Sequence, residues 1–415
     1  MKVMKWSAIA LAVSAGSTQF AVADAFVSDQ AEAKGFIEDS SLNLLLRNYY
    51  FNRDGKEGRG DRVDWTQGFL TTYESGFTQG TVGFGVDAFG YLGLKLDGTS
   101  DKTGTGNLPV MNDGKPRDDY SRAGGAVKVR ISKTMLKWGE MQPTAPVFAA
   151  GGSRLFPQTA TGFQLQSSEF EGLDLEAGHF TEGKEPTTVK SRGELYATYA
   201  GQTAKSADFA GGRYAITDNL SASLYGAELK DIYRTTDEGK SKAGDISNTT
   251  WSLAGAYTLD AHTFTLAYQQ VHGDEPFDYI GFGGNGSGAG GDSIFLANSV
   301  QYSDFNGPGE KSWQARYDLN LASYGVPGLT FMLRYINGKD IDGTKVDSSS
   351  SYAGLYGEDG KHHETNLEAK YVVQSGPAKD LSFRIRQAWH RANADQGEGD
   401  QNEFRLIVDY PLSIL

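Results

Sequence analysis

The chain has no cysteine, and among its 415 residues only 11 are proline and 6 are histidine. Without cysteine there is no disulfide scaffold, no thiolate metal site and no cysteine nucleophile. So few histidines argue against a His-rich metal centre, and neither a metal nor a cofactor is expected. Positive charge is also scarce: 39 Lys and Arg stand against 52 Asp and Glu, a net −13. That is the wrong sign for nucleic-acid binding unless the basic residues gather on one face. Long apolar runs are missing too. The one apolar stretch near the start is too short for a membrane-spanning helix. What is abundant is glycine, 53 residues, with aromatics at 12% and hydrophobic residues at 39%. Such a chain is not disordered. It fits a β-rich fold whose strands are half apolar, and closed barrels of this length form one unit.

The first segment reads as an address. Lys2 and Lys5 precede an apolar stretch from Ala8 to Val13, and Ala21-Val22-Ala23 offers a small-residue cleavage signal. Residues 1–23 are read as a Sec-type signal peptide. Residues 24–415 are read as a single barrel domain beginning at Asp24.

From Leu42 onward, about ten residues of apolar–polar alternation are followed by a turn or polar loop, again and again. Val127, Val129 and Ile131 alternate with Lys128, Arg130 and Ser132; Leu381, Phe383 and Ile385 alternate with Ser382, Arg384 and Arg386. The alternation predicts strands at 42–51, 61–74, 80–95, 122–132, 134–141, 162–170, 173–182, 207–216, 219–230, 249–259, 262–272, 312–321, 328–337, 364–374, 381–391 and 403–414. The weaker pattern at 193–200 is assigned to a loop, because counting it makes the strand number odd. A soluble sandwich also alternates. Three features favour a transmembrane antiparallel barrel, all-β, of sixteen strands by this count. Basic residues on the polar faces suit a wet lumen. Aromatics near strand ends (Tyr49, Tyr50, Trp65, Tyr73, Trp251, Tyr257, Trp313, Tyr335, Trp389, Tyr410) suit interface girdles. Connections alternate short and long, as inner turns and external loops do. A cylinder of this size holds an aqueous channel.

Function then depends on what lines the channel. Lys128, Arg130, Lys370, Arg384, Arg386 and Arg405 fall on the face away from lipid. A column of guanidiniums would guide carboxylates, because the planar fork stays charged and matches two oxygens. Acidic residues in the loops would gather cations. Passing both signs suits a zwitterion with extra positive charge. Loop 142–161 is long, apolar and rich in small residues, the profile of a constriction folded into the barrel. Loop 273–311, with Tyr279, Phe282, Phe295 and Tyr302, is a second candidate lining.

Segments 24–29 (DAFVSD), 44–51 (LLLRNYYF), 138–148 (WGEMQPTAPVF) and 404–415 (FRLIVDYPLSIL) resemble the OprD family of substrate-specific outer-membrane porins, and the resemblance runs over essentially the whole chain. It implies a multi-pass protein of a Gram-negative outer membrane, in contact with lipid and lipopolysaccharide and with no nucleic-acid partner. The implied function is facilitated diffusion of basic amino acids and small basic peptides, with permeability to carbapenem antibiotics. It implies a basic ladder at Arg53, Arg62, Arg154, Lys370, Arg384, Arg386 and Arg405, facing a pocket for the solute's cationic end at Tyr199, Tyr279, Ser299, Tyr302 and Asp304. It also brings an attributed serine-peptidase activity whose triad falls on His179, Asp231 and Ser293. Nothing local supports that triad, since Ser293 lacks a nucleophile elbow. The family pattern has eighteen strands. Here the run from Glu228 passes directly into Thr235, with a stretch of ~26 residues absent, enough for one spanning hairpin. Losing a whole hairpin keeps the up-and-down parity, and a narrower or poorly conducting barrel is the alternative reading. The oligomeric state, monomer or weak trimer, stays open.

Other matches carry little. Gly281, Gly283 and Gly286 fit a dinucleotide pattern but no βαβ unit surrounds them. His362-His363 beside Glu364 reads as an exposed loop pair able to bind a metal only adventitiously.

Overall fold

The structure, a computed structural model, describes residues 25–217, 220–230, 248–283 and 296–415, together with the backbone of 8–15. The alternating segments form long strands: β1 (Ser41–Gly55), β2 (Arg62–Glu74), β3 (Val82–Asp97), β4 (Asp119–Ile131), β5 (Thr134–Met141), β6 (Thr159–Phe170), β7 (Leu173–Lys184), β8 (Ala207–Thr217), β9 (Leu220–Leu229), β10 (Thr249–Leu259), β11 (His262–His272), β12 (Lys311–Asn320), β13 (Leu329–Ile341), β14 (Gly360–Val372), β15 (Ser382–Ala392) and β16 (Gln401–Ser413). Except between β9 and β10, each pairs antiparallel with its chain neighbour, and β16 returns to β1 from Asn43↔Ser413 to Gly55↔Gln401. Closure matters because a lipid-facing strand edge leaves amide and carbonyl groups with no water to satisfy them.

The alternation has its expected result. Phe84, Val127, Leu165, Leu224, Leu253, Leu266 and Leu333 stand exposed on the outside, and in a bilayer that surface is the lipid face. Trp65, Trp251, Tyr257, Trp313 and Trp389 are exposed there as well. Tyr49 is an exception to the girdle reading. It is fully buried and turned inward, where its hydroxyl donates to the Ser153 carbonyl at 3.0 Å. Short turns close one rim. At two of them Ser132 and Asp260 adopt positive φ, +50° and +53°, a strain that short polar side chains tolerate.

One seam is not closed by the barrel strands. Among the described residues, β9 pairs with β8 and with the segment Ala8–Ala15, while β10 pairs only with β11. The reason is parity. Ala8–Ala15 runs antiparallel to β9 (Ala8↔Ala227 to Ala15↔Leu220). In an up-and-down sheet β10 also runs antiparallel to β9, so the inserted segment is parallel to β10. Only zero or two strands fit between β9 and β10 in such a barrel. The seam lies where the sequence lacks a hairpin.

Inside, the barrel is not uniformly polar. Phe148 from the 142–158 connection and Phe282 pack with Phe180 of β7 and Phe209 of β8 in one buried cluster. Gly178 leaves the space the Phe209 ring fills; a Cβ there would stand 2.3 Å from it. Leu155 and Phe156 sit in a second cluster with Tyr49, Phe51, Tyr91 and Tyr120. Each fully buried ring of this kind contributes about 1.5–3 kcal/mol. These apolar seats hold the loops inside the barrel. The pattern at 193–200 is a loop by the barrel count, yet Glu194–Ala197 forms a short strand between Thr203–Ala204 and Ile280–Gly283, an inner sheet that stiffens the lining.

Candidate functional site

Six of the seven basic ladder candidates lie on five neighbouring strands: Lys370 on β14, Arg384 and Arg386 on β15, Arg405 on β16, Arg53 on β1 and Arg62 on β2. The register stacks them in levels. Lys370 faces Arg384; Arg386 faces Arg405, which faces Phe51; Glu403 faces Arg53, which faces Arg62. Successive levels are two residues apart, about 7 Å along the strand. Alternation delivers this because residues i and i+2 share a face. Lys128 and Arg130 also turn inward but belong to β4, away from this wall. Lys128 binds Asp87 at 2.6 Å, and Arg130 binds Gln30 and Ser28 of the N-terminal segment. Arg130 anchors that segment, Lys128 ties β4 to β3, and neither is part of the ladder.

The wall also contains carboxylates, Glu368 and Glu403, which the alternation puts on the same polar faces as Lys370 and Arg405. Glu403 is almost fully buried between Arg53 at 2.6 Å and Arg405 at 2.5 Å. Glu368 receives Arg384 at 2.7 Å and Arg386 at 3.1 Å. In each group the guanidiniums outnumber the carboxylate, so a positive excess remains. The spacing Glu403-x-Arg405 places both on one face, a signal present in the alternation. Sequence reasoning missed Phe51. Its ring lies 4.7 Å from the Arg405 guanidinium, 5.2 Å from that of Arg154 and 5.5 Å from that of Arg53. An aromatic face attracts such cations and holds them together.

The seventh basic candidate, Arg154, comes from the constriction loop. The loop is braced against the wall by Arg47, which donates to the Arg154 carbonyl at 3.1 Å while pairing with Asp409 at 2.8 Å. Burial, then the neighbouring Arg405 and Arg53 charges, holds the Arg154 guanidinium below its ordinary pKa. The second loop is tied to the same point: Arg405 donates to the Gln301 carbonyl at 3.1 Å.

The pocket residues assemble around Asp304. Its Oδ2 accepts from the Tyr199 and Tyr279 hydroxyls, both at 2.9 Å, and its Oδ1 accepts from Ser299 at 2.7 Å. Burial pushes this carboxyl above its ordinary range, and the three hydroxyls pull it partly back. Tyr302 does not join that set. It lies under the Arg53 guanidinium at 5.0 Å and against His390, so it marks where ladder and pocket meet. A second buried carboxylate, Asp278, holds the pocket's frame: it accepts from the backbone N–H groups of Tyr199 and Ala200, each at 2.9 Å, and from Tyr352 at 2.8 Å.

Of the peptidase candidates, only His179 lies among the described residues. His179 points outward from β7 and pairs with Asp208 at 2.6 Å, half exposed. Asp231, Ser293 and the lining candidate Phe295 lie outside the described residues. The histidine pair is also not a loop. His362 belongs to β14, is buried and faces inward, while His363 takes the opposite face.

A model of the outer membrane porins of the OprD family matches residues 34–236 and 232–414. The break between the two matches falls in the β9–β10 connection, where the hairpin is absent. Porin D of Pseudomonas aeruginosa is 89% identical over 443 aligned positions, covering all of both chains, against the 415 residues present here. The porin-like protein GalP of Pseudomonas putida is 36% identical over 93% of this chain and 95% of its own. Among solved structures, a crystal structure of OprD from Pseudomonas aeruginosa superposes with a TM-score of 0.82 at 79% identity, covering 94% of this chain and 100% of that one.

Proposed function

This chain belongs to the OprD family of porins, substrate-specific channels of the Gram-negative outer membrane, and we propose that it passes basic amino acids, small basic peptides and carbapenems by facilitated diffusion. The observation that carries this reading is the excess of guanidinium over carboxylate along five adjacent strands, joined at Tyr302 to a pocket built on Asp304. A solute carboxylate steps between levels about 7 Å apart, exchanging with Glu368 and Glu403 for the same forks. That exchange keeps each level attractive without trapping the solute, the condition for conduction. The solute's cationic end replaces hydroxyl donors at Asp304. A carbapenem with a basic side chain carries the same pair of charges.

Residues 1–23 are the export signal in this reading, and 24–415 the working barrel. Removing the signal frees the edge of β9 to meet β10, which restores the even strand count.

The test is arginine uptake in cells lacking other specific channels, with lysine as competitor. Arg384→Ala with Arg386→Ala should slow uptake at least tenfold while leaving a small neutral solute unaffected. Equal slowing of both solutes, or of neither, would show that the ladder does not guide.

A further inference from the structure

At the external ends of β14 and β15 two imidazoles and a carboxylate converge outside the ladder and pocket. His362 and His390 are 3% and 0% exposed. His390 Nδ1 lies 2.8 Å from the Gly399 carbonyl oxygen, which can only accept, so the proton sits on Nδ1 and Nε2 presents a lone pair. His362 Nε2 lies 2.8 Å from Glu310 Oε1, and donation to that carboxylate leaves Nδ1 with a lone pair as well. These two acceptor nitrogens face each other at 2.8 Å. Glu398 Oε2 stands 3.8 Å from the first and 3.5 Å from the second, and Gln396 Nε2 holds it in place at 2.9 Å. The ring centroids are 5.1 Å apart, so the two lone pairs point at each other along one line with the carboxylate oxygen beside it, an arrangement that calls for a positive charge there. A single proton satisfies the nitrogens and leaves Glu398 with only the Gln396 amide as partner; a divalent cation uses all three.

We propose that His362 Nδ1, His390 Nε2 and the Glu398 carboxylate bind a divalent transition cation, with zinc the best match. Two imidazoles, one carboxylate and an open fourth position form a recurrent zinc donor set. Both imidazoles already have the outer acceptor that fixes the ring and raises its basicity in metal sites, Glu310 for one and the Gly399 carbonyl for the other. Tetrahedral bonds of about 2.0–2.1 Å set the nitrogens about 3.3 Å apart, so binding moves them about 0.5 Å further apart and turns both rings from their present head-on line toward Glu398. The ion enters past Glu398, the most exposed of the three. It would fasten β14, β15 and the 393–400 connection at one point. Phe305 rests on His362 at 4.0 Å and Tyr302 on His390 at 4.9 Å, so the bound ion also stiffens the loop that carries Asp304 and adds positive charge near it.

The experiment uses the untagged barrel in detergent, stripped with a chelator and titrated with zinc chloride by calorimetry. One ion per chain is expected, with affinity falling at least tenfold in Glu398→Gln and in His390→Asn. Glu398→Gln lies in a connection and leaves the strands intact, and heat-modifiable gel mobility verifies folding of both. Zinc should also reduce arginine flux through the parent and not through Glu398→Gln. No stoichiometric binding, or binding unchanged in both variants because it resides at the outer histidines, overturns the proposal.

Discussion

Replacing Glu403 by glutamine tests how the wall is held together. Glu403 is 1% exposed and receives Arg53 at 2.6 Å and Arg405 at 2.5 Å, with Gln301 Nε2 at 3.3 Å. Arg154 shares the Phe51 face with both arginines. Glutamine keeps the shape and removes the charge, so three guanidiniums remain around one ring with no counter-charge. Taking one partner from a buried pair costs about 3–5 kcal/mol, since the remaining charge stays buried. The loss should fall on the loops as well as the wall, because Arg405 also holds the Ser153 and Gln301 carbonyls. Urea unfolding of the purified barrel in lipid reads the stability. The zero-current potential across a salt gradient reads the selectivity, which should shift toward anions as the lumen gains one positive charge. Glu403→Gln with Arg405→Met should cost less than the two separately by about 0.5–3 kcal/mol, as coupled neighbours do. A stability change within about 0.5 kcal/mol, the scale of a neutral surface substitution, together with an unmoved potential, would refute the reasoning.

Three further outcomes follow from the same geometry. Burial raises the Asp304 carboxyl, so it loses charge at a higher pH than an exposed aspartate; competition by lysine for conductance should weaken as pH falls through that raised range, and Asp304→Asn should abolish both the competition and its pH dependence. Because the chain has no cysteine, Ala227→Cys on β9 combined in turn with Ser252→Cys or Ala254→Cys on β10 reports seam closure against a silent background; in chains lacking residues 1–23 at least one pair should crosslink on oxidation, and failure of every pair shows the seam open. His179→Ala, on the outer face beside Asp208, should leave arginine uptake within twofold of the parent, and a larger loss measured in the same cells would place it in the pathway.

Much of this fold was legible from the alternation alone. Lys370, Arg384, Arg386 and Arg405 appear on the lumenal side by counting in twos, because strand geometry sends i and i+2 to one face. The same counting also turned Lys128 and Arg130 inward, but not onto the ladder, since distance around a cylinder is set by strand order and not by face. The constriction showed in composition: an apolar, small-residue loop needs an apolar seat, and Phe148, Leu155 and Phe156 found theirs. What stayed hidden were partnerships between residues far apart in the chain. Arg53 meets Glu403 across 350 positions because β16 closes on β1. His362 looked like a loop residue until β14 proved to begin at Gly360.

The sequence by itself determined the class of protein, through its alternation, its glycine and aromatic content and the family signatures, and it determined that a hairpin is missing, because these are properties of order along the chain. Only the tertiary structure decided which charges neutralise one another, which three side chains converge beside the pocket, and that the deficit leaves one seam between β9 and β10. Those depend on distances across the barrel, where electrostatic and hydrogen-bond energies are settled within a few ångströms.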